Sequence, residues 1–274
     1  MDNKLIENVE FVIFDTETTG LFPESGDRIV EIAAMRFKGE KKIAEFSTLV
    51  NPMRPVSPGA FAVNKISDRM LENAPPAREV LPEFLEFIKG SCLCSYNLPF
   101  DLGFVNNELK LCGLDPLGRM AMIDILAMAR ALLPKIERHA LWFVAREFGI
   151  KDPQQHRAFS DVEMTRDVFF RFKIMLAQKG ISGLDGLLSL FCMDENISRD
   201  IIRQKTAKIE EAIERGLKLR IKYFSRSGAD VSERDVAPAE IRGEGGRDYL
   251  VGFCFLKNEE RTFRIDNIVS LEII

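Results

Sequence analysis

Nowhere does the chain carry a run of about 18 apolar residues, so no segment is expected to cross a bilayer as a helix. The opening stretch, MDNKLIENVE, has acidic residues and lacks the apolar core of roughly 7 to 15 residues that a secretory leader needs; neither a signal nor a transit sequence is expected, and a cytoplasmic location is the expectation. Cysteine is sparse and odd in number, five in 274 residues, at positions 92, 94, 112, 192 and 254. An odd count does not close a disulfide framework, and Cys92-Leu-Cys94 is too tight for a zinc pair or a thioredoxin-type motif, so reduced, buried thiols are expected. Positive charge is also short: 38 Lys and Arg stand against 42 Asp and Glu, a net charge of −4. That balance argues against strong non-specific binding to duplex DNA, whose affinity grows with the number of Lys and Arg contacts. It leaves room for a nuclease, because carboxylates that hold cations count as negative charge yet form a positive site once loaded.

With 46% hydrophobic and 29% charged residues, the composition is that of a globular protein able to bury a sizeable core. A length of 274 residues allows one or two domains, and two are predicted. Residues 9–14, 29–37 and 43–50 read as strands, the last two joined through Gly39, which suggests an antiparallel three-stranded start. Helical patterns follow at 67–71, 80–88, 98–112, 123–133 and 141–148, with a short strand near 91–96. The mixture predicts an α/β domain with a mixed sheet. A long amphipathic helix from Ser160 to about Gln178 stops at Gly180 and closes this first domain, 1–178. Residues 179–205 form a packed helical linker. After a short helix ended by Gly216, Leu217, Leu219, Ile221 and Tyr223 alternate with Lys218, Arg220 and Lys222, and the period becomes that of a strand. Runs at 249–256, 261–265 and 268–274 complete a small barrel or curled β-domain over 206–274.

The chemistry is carried by carboxylates. Asp15 and Glu17 end the first strand two residues apart and so face one side. Alone, such a pair reads as a solvated doublet beside a turn. Two close carboxylates repel, and a divalent cation is a common way to relieve that. Asn97 can cap a helix with Pro99 in its first turn, and Asp101 lies beside the buried stripe Leu98, Leu102, Val105, Leu109. In His156-Arg157-Ala158-Phe159-Ser160-Asp161, Ser160 and Glu163 have capping-box spacing, which places Asp161 in the first turn of the long helix and His156 in the loop before it. Only two histidines exist in the chain, and an imidazole is suited to take a proton from water. Together these groups supply what two-metal phosphodiester hydrolysis requires, with oxygen ligands that favour Mg²⁺ or Mn²⁺. No serine or cysteine nucleophile motif competes.

Three stretches in order, Phe14 to Gly20, Asn97-Leu98-Pro99-Phe100-Asp101 and His156 to Asp161, resemble the motifs of the DEDDh 3′→5′ exonucleases, which include bacterial proofreading subunits and share an RNase H-like fold. The similarity extends over roughly residues 8 to 178 and takes in Asn64-Lys65-Ile66 and Ile123-Asp124-Ile125-Leu126. The resemblance implies Asp15 as the bridging metal ligand, Glu17 and Asp161 as ligands of the nucleophile-side ion, Asp101 as water-mediated ligand of the second, and His156 as general base. It also implies Thr18 and Leu21 beside the terminal nucleotide, Tyr96 and Asn97 in substrate placement, and nucleoside 5′-monophosphates as products from single-stranded 3′ ends. Tyr96 stands where many relatives have histidine. DNA is the expected substrate; RNA, or a non-catalytic nucleotide-responsive role, are the alternatives, since the metal chemistry attacks either backbone. With no recognisable polymerase-binding segment, DNA repair or nucleic-acid turnover is favoured over proofreading.

Residues 210–274 resemble WYL domains, small SH3-like or Sm-like β-modules, through Leu219 to Tyr223, Pro238, Asp248-Tyr249-Leu250 and Arg261 to Asp266, with Asp248 in place of the family's tryptophan. That resemblance implies a nucleotide or nucleic-acid ligand, with Tyr249, Arg261 and Arg264 as candidates to stack on a base and pair with phosphate. From Thr206 onward there are 12 Lys or Arg and 13 Asp or Glu, so any such face is local. The row Lys218, Arg220, Lys222 reads equally as the solvated face of an edge strand.

Overall fold

The computed structural model describes residues 4–150, 157–225 and 227–274. They divide into two compact units: one from Glu7–Ala129 and Glu137–Phe172, the other from Met1–Ile6, Arg130–Ile136 and Lys173–Ile274. Among the described residues no helix is long and apolar enough to cross a membrane.

In the first unit the strands are β1 (Glu10–Thr18), β2 (Ile29–Lys38) and β3 (Lys41–Leu49), then β4 (Cys92–Ser95) and β5 (Met122–Asp124). They lie in the order β3-β2-β1-β4-β5; the first three are antiparallel, and β1, β4 and β5 run parallel. Helices are α1 (Pro58–Asn64), α2 (Asp68–Leu71), α3 (Ala77–Ile88), α4 (Leu98–Leu111), α5 (Ile125–Leu132), α6 (Leu141–Glu147) and α7 (Ala158–Gln178). This is the mixed α/β sheet, RNase H-like in topology, that the sequence predicts.

The alternation of β1 organises everything that follows. Side chains of a strand point to opposite faces in turn. Phe11 and Ile13 face α7, where the Phe11 ring meets Phe169 at 5.1 Å, while Val12 and Phe14 face α3 and α4, where Phe14 meets Phe84 at 5.6 Å. Buried on both faces, β1 reads as a continuous apolar run. Because parity persists beyond the apolar run, Asp15 and Glu17 are carried to the α7 side and Thr16 to the α4 side.

The start of α7 corrects the sequence reading. Ser160 and Glu163 have capping-box spacing, yet the helix begins two residues earlier, at Ala158. The backbone N–H of Ala158 donates to Glu31 on β2 at 3.1 Å. A carboxylate distant in sequence thus replaces the local cap. Asn97 likewise occupies the N-cap position of α4 in a left-handed conformation (φ 70°) and makes no side-chain cap. Asp124 at the end of β5 instead accepts the N–H groups of Asn97 at 3.1 Å, Leu98 at 3.3 Å and Leu126 at 3.0 Å.

In the second unit, α8 (Leu184–Phe191) and α9 (Glu195–Glu214) precede β6 (Leu219–Ser225), β7 (Asp230–Glu244), β8 (Arg247–Cys254), β9 (Glu259–Arg264) and β10 (Ile268–Ile273). The strands form an antiparallel sheet in the order β10-β6-β7-β8-β9. Where the sequence suggests a linker followed by a short helix, α9 is one 20-residue helix, capped by Asp194, whose carboxylate accepts the Ile197 N–H at 2.8 Å. Its Ile209 and Ala212 join Leu219, Ile221, Leu250 and Phe263 in the β-core. Lys205 is buried on the same helix and donates to the carbonyls of Ile265 and Ile268; burial pushes its ammonium down to about 8. β7 was not legible as a strand, because only Val236 of its 15 residues is buried. Its register shifts at Pro238, which has no N–H for the ladder, and Gly252 lies opposite: a Cβ there would sit 2.4 Å from the Ala237 carbonyl oxygen. β6 is paired on both sides, so the edge-strand reading of Lys218, Arg220 and Lys222 is corrected. Their heads are engaged: Lys218 over the Phe255 ring at 4.1 Å, Arg220 on Asp235 at 2.8 Å, Lys222 on the Gly180 carbonyl at 2.9 Å.

Candidate active site

β1 pairs with β4 only as far as Ile13 and Cys94, and beyond that point the parallel strands part. The backbone N–H of Thr16 therefore has no ladder partner on that side and donates to Asp101 Oδ1 at 2.9 Å, joined by its own hydroxyl at 2.7 Å. Ser95, the last residue of β4, donates to Asp101 Oδ2 at 2.5 Å. Asp101, in the first turn of α4, is thereby fixed and 2% exposed. Burial raises its pKa to about 6, against the lowering effect of the Ser95 and Thr16 hydrogen bonds.

On the opposite side of β1, Asp15 and Glu17 meet Asp161 from the first turn of α7, and each offers a carboxylate oxygen within 4.8 Å of the others. Asp161 heads the buried stripe Asp161, Thr165, Val168, Phe169, Phe172, whose three- and four-residue spacing points it at the sheet. The pairing of β1 with β2 is irregular between Glu17 and Thr18, where the strand leaves the sheet.

Crowding shows in the titration of these groups. Asp15 is held well above the usual carboxylate range by burial, then by the charges of Asp101, Asp161, Glu17 and Glu31. Glu17 is pushed up to about 8 by burial and by Asp161 and Glu31, while the Asn64 amide lowers it. Three carboxylates this close, disfavoured as anions without a counter-charge, are a donor set suited to a divalent cation.

The loop after β1 is held by polar contacts. Thr18 Oγ1 donates to the Gly20 carbonyl at 2.5 Å, and the buried Asn64 side chain donates to the Thr18 carbonyl at 3.3 Å and accepts the Ile66 N–H at 3.0 Å. Asp27 accepts the Thr19 hydroxyl at 3.0 Å and the Phe22 N–H at 3.2 Å, so close to Gly20 that a Cβ there would lie 2.2 Å from its oxygen. Leu21 and Phe22 are left exposed, 66% and 56%.

Of the residues the sequence singles out, the structure gathers Asp15, Glu17 and Asp161 into one cluster and seats Asp101 across β1 from it. His156 lies outside the described residues. Thr18 is buried with its hydroxyl turned to Gly20, Leu21 is exposed beside it, and the Tyr96 hydroxyl donates to the His139 carbonyl. Sequence reasoning missed Glu31, Arg157, Asn64, Ser95 and Asp124 as supports. For Glu31 a signal existed: an acid within the otherwise apolar run Ile29 to Met35.

In the second unit, Tyr249 on β8 is directly opposite Arg264 on β9 and Arg242 on β7, so these three share a face. Arg264 pairs with Asp266 at 3.0 Å through Nε. Arg261 is three residues from Arg264, on the other face by alternation, and pairs with Glu259 at 2.7 Å. Asp248 is exposed. None of the five cysteines forms a disulfide; Cys92, Cys94 and Cys254 are buried, whereas Cys112 and Cys192 are only partly so.

Compared with known proteins, the family model described as Exonuclease matches residues 12–169, and that of the WYL domain matches residues 204–273. The DNA polymerase III subunit epsilon of Treponema pallidum is 42% identical over 165 residues, covering 60% of this chain and 76% of that protein. A PolC-type DNA polymerase III of Thermotoga petrophila is 37% identical over 287 residues and covers 98% of this chain, which spans only 20% of that polymerase. Among solved structures, exonuclease X in complex with 5′-overhanging duplex DNA has a TM-score of 0.50 at 26% identity, over 61% of this chain and 93% of that one.

Proposed function

The chain belongs to the exonuclease family and joins a WYL domain to it, and from that premise we propose that it removes nucleotides from the 3′ ends of single-stranded nucleic acid, DNA foremost, releasing nucleoside 5′-monophosphates. The observation that carries this reading is the convergence of Asp15, Glu17 and Asp161 from a strand and a helix, with acidities that call for a cation.

Asp15, Glu17 and Asp161 would hold divalent ions, Mg²⁺ or Mn²⁺, with Asp15 as the central ligand and Asp101 contributing through water. When bound, such ions would supply charge neutralisation on the phosphoryl group and a more acidic water. His156 would serve as the general base, and its replacement by alanine is expected to lower turnover about 10² to 10⁴-fold, the range for loss of a general base, with folding unchanged by circular dichroism. Leu21 and Thr18 border the terminal nucleotide, and Tyr96 and Asn97, which follow β4, serve in its placement. The exposed Leu21 and Phe22 offer apolar surface to an unpaired base.

The domain boundaries we adopt are 1–178 for the exonuclease, 179–205 for the linker and 206–274 for the WYL module. That module tethers substrate or takes a nucleotide through Tyr249 and Arg264, which share a face, whereas Arg261 lies on the other face and drops out of that site; joining two weak sites raises local concentration. Tyr249→Ala is expected to weaken binding of long single strands by roughly 1 to 3 kcal/mol, the cost of one stacked base, read by fluorescence anisotropy. Unchanged affinity would remove Tyr249 from the interface.

The test is to incubate the protein with 5′-labelled single-stranded DNA and RNA in Mg²⁺, Mn²⁺ or EDTA. A metal-dependent ladder shortening from the 3′ end supports the reading and chooses the sugar. Absence of cleavage on every substrate would favour a non-catalytic nucleotide-responsive role.

A further inference from the structure

Glu31 is a fourth carboxylate beside the cluster. It stands directly opposite Glu17 in the antiparallel pairing of β1 and β2, on the same face, and its side chain is 4% exposed. A buried anion placed next to three others is electrostatically costly, and nothing in the packing of β2 requires it, since its neighbours on that face are Ala33, Met35 and Phe37. Its oxygens point toward α7. Arg157 donates to Glu31 through Nε at 3.0 Å to Oε2 and through Nη2 at 2.6 Å to Oε1, a two-pronged guanidinium–carboxylate pair. The Ala158 N–H adds a third bond to Oε2 at 3.1 Å.

These three bonds occupy the first turn of α7. Ala158 is its first residue, and the Arg157 carbonyl accepts the Asp161 N–H at 3.2 Å, so the clamp is one helical hydrogen bond from the third member of the carboxylate cluster. Arg157 also directly follows His156 in the chain. Glu31 is therefore tied to the helix, whereas Asp15, Glu17 and Asp161 are mutually within 4.8 Å.

We propose that Glu31 and Arg157 form a positioning pair that docks the start of α7 on β2, setting Asp161 against the strand carboxylates. The inference rests on the functional reading above. Arg157 has a second effect: it neutralises Glu31, so that the cation is offered the charge of the cluster itself.

The geometry and the charge make opposite demands on Arg157→Ala, which is why that variant decides the matter. Removing a cation and leaving Glu31 bare adds negative charge near the site, and charge alone would tighten Mn²⁺ binding. Loss of the clamp lets the first turn of α7 drift and weakens it. The experiment is Mn²⁺ titration followed by electron paramagnetic resonance on wild type, Arg157→Ala, Arg157→Lys, Glu31→Gln and the double variant Glu31→Gln/Arg157→Ala, with kcat and KM measured on a short single-stranded oligonucleotide.

We expect Mn²⁺ affinity to fall about 10 to 100-fold in Arg157→Ala, as for loss of a group that orients a ligand, with kcat falling in parallel and KM changing by less than about twofold. The double variant is expected to be no worse than the poorer single variant, because both remove one interaction. Arg157→Lys keeps the charge and loses the fork, so a deficit there is geometric, and it takes the decision if the alanine variant does not fold. Tighter or unchanged Mn²⁺ binding in Arg157→Ala, or single-variant losses that multiply in the double variant, would overturn the pair. Failure of the functional reading looks different: wild type itself would bind no Mn²⁺ or cleave nothing.

Discussion

Asp15→Asn is expected to lower hydrolysis of single-stranded DNA by about 10⁴-fold, roughly 5.5 kcal/mol of transition-state stabilisation, while the protein becomes harder to melt. Asp15 is the carboxylate on which the charges of Asp101, Asp161, Glu17 and Glu31 all act, which makes it the electrostatic centre of the cluster. Asparagine keeps the shape and one oxygen but removes the anion, so the effect falls on cation binding and charge stabilisation. The same substitution removes a buried charge from among its like neighbours. In metal-free buffer at pH 8 its melting midpoint is expected to exceed that of wild type by at least ~2 °C, the shift that about 1 kcal/mol produces in a chain of this size. Opposite movements of activity and stability are the signature of a site kept strained for function. Full activity in Asp15→Asn would mean that the chemistry lies elsewhere.

Chelation is expected to abolish cleavage and to expose an inverted pH dependence of stability. In the metal-free folded protein Asp101 titrates near 6, Glu17 near 8 and Asp15 well above its ordinary value, against about 3.9 to 4.3 when unfolded. Between about pH 4 and 8 the folded state thus binds more protons than the unfolded one, and by linkage these groups make stability fall as pH rises. Their penalty is absent below pH 4 and fully developed above the folded values. Divalent cations bind the deprotonated carboxylates, so the rise in melting midpoint on adding Mg²⁺ or Mn²⁺ is expected to be larger at pH 8 than at pH 6. At a hundredfold excess over Kd the stabilisation is about 2.7 kcal/mol. Differential scanning fluorimetry with EDTA and with each metal reads both effects. A metal shift that shrinks from pH 6 to pH 8 would contradict a carboxylate site.

What could be read in advance follows from how local each signal is. The strand β1 announces itself as an apolar run, and the two-residue step from Asp15 to Glu17 places both on one face whatever the rest of the chain does. Asp161 heads a stripe of helical spacing, and Asp101 lies in the first turn after a proline. β7 could not be read so, because a strand whose side chains are mostly solvated leaves no hydrophobic period; its pairing with β6 and β8 makes it a strand.

The sequence by itself determined the mixed α/β class, the presence of a small β-module after Gly216 and the identity of the acidic residues, since period and parity are properties of the covalent chain. Only the tertiary structure decided what those residues meet. That Thr16 and Ser95 hold Asp101, that Asp124 caps α4 in place of Asn97, and that Glu31 takes the start of α7 from the local capping box are contacts across 85, 6, 27 and 127 positions. Hydrogen-bond partners for buried groups are chosen by whichever donor or acceptor the packed sheet and helices bring within about 3 Å, and for the longest of these separations that choice exists only once the sheet has formed.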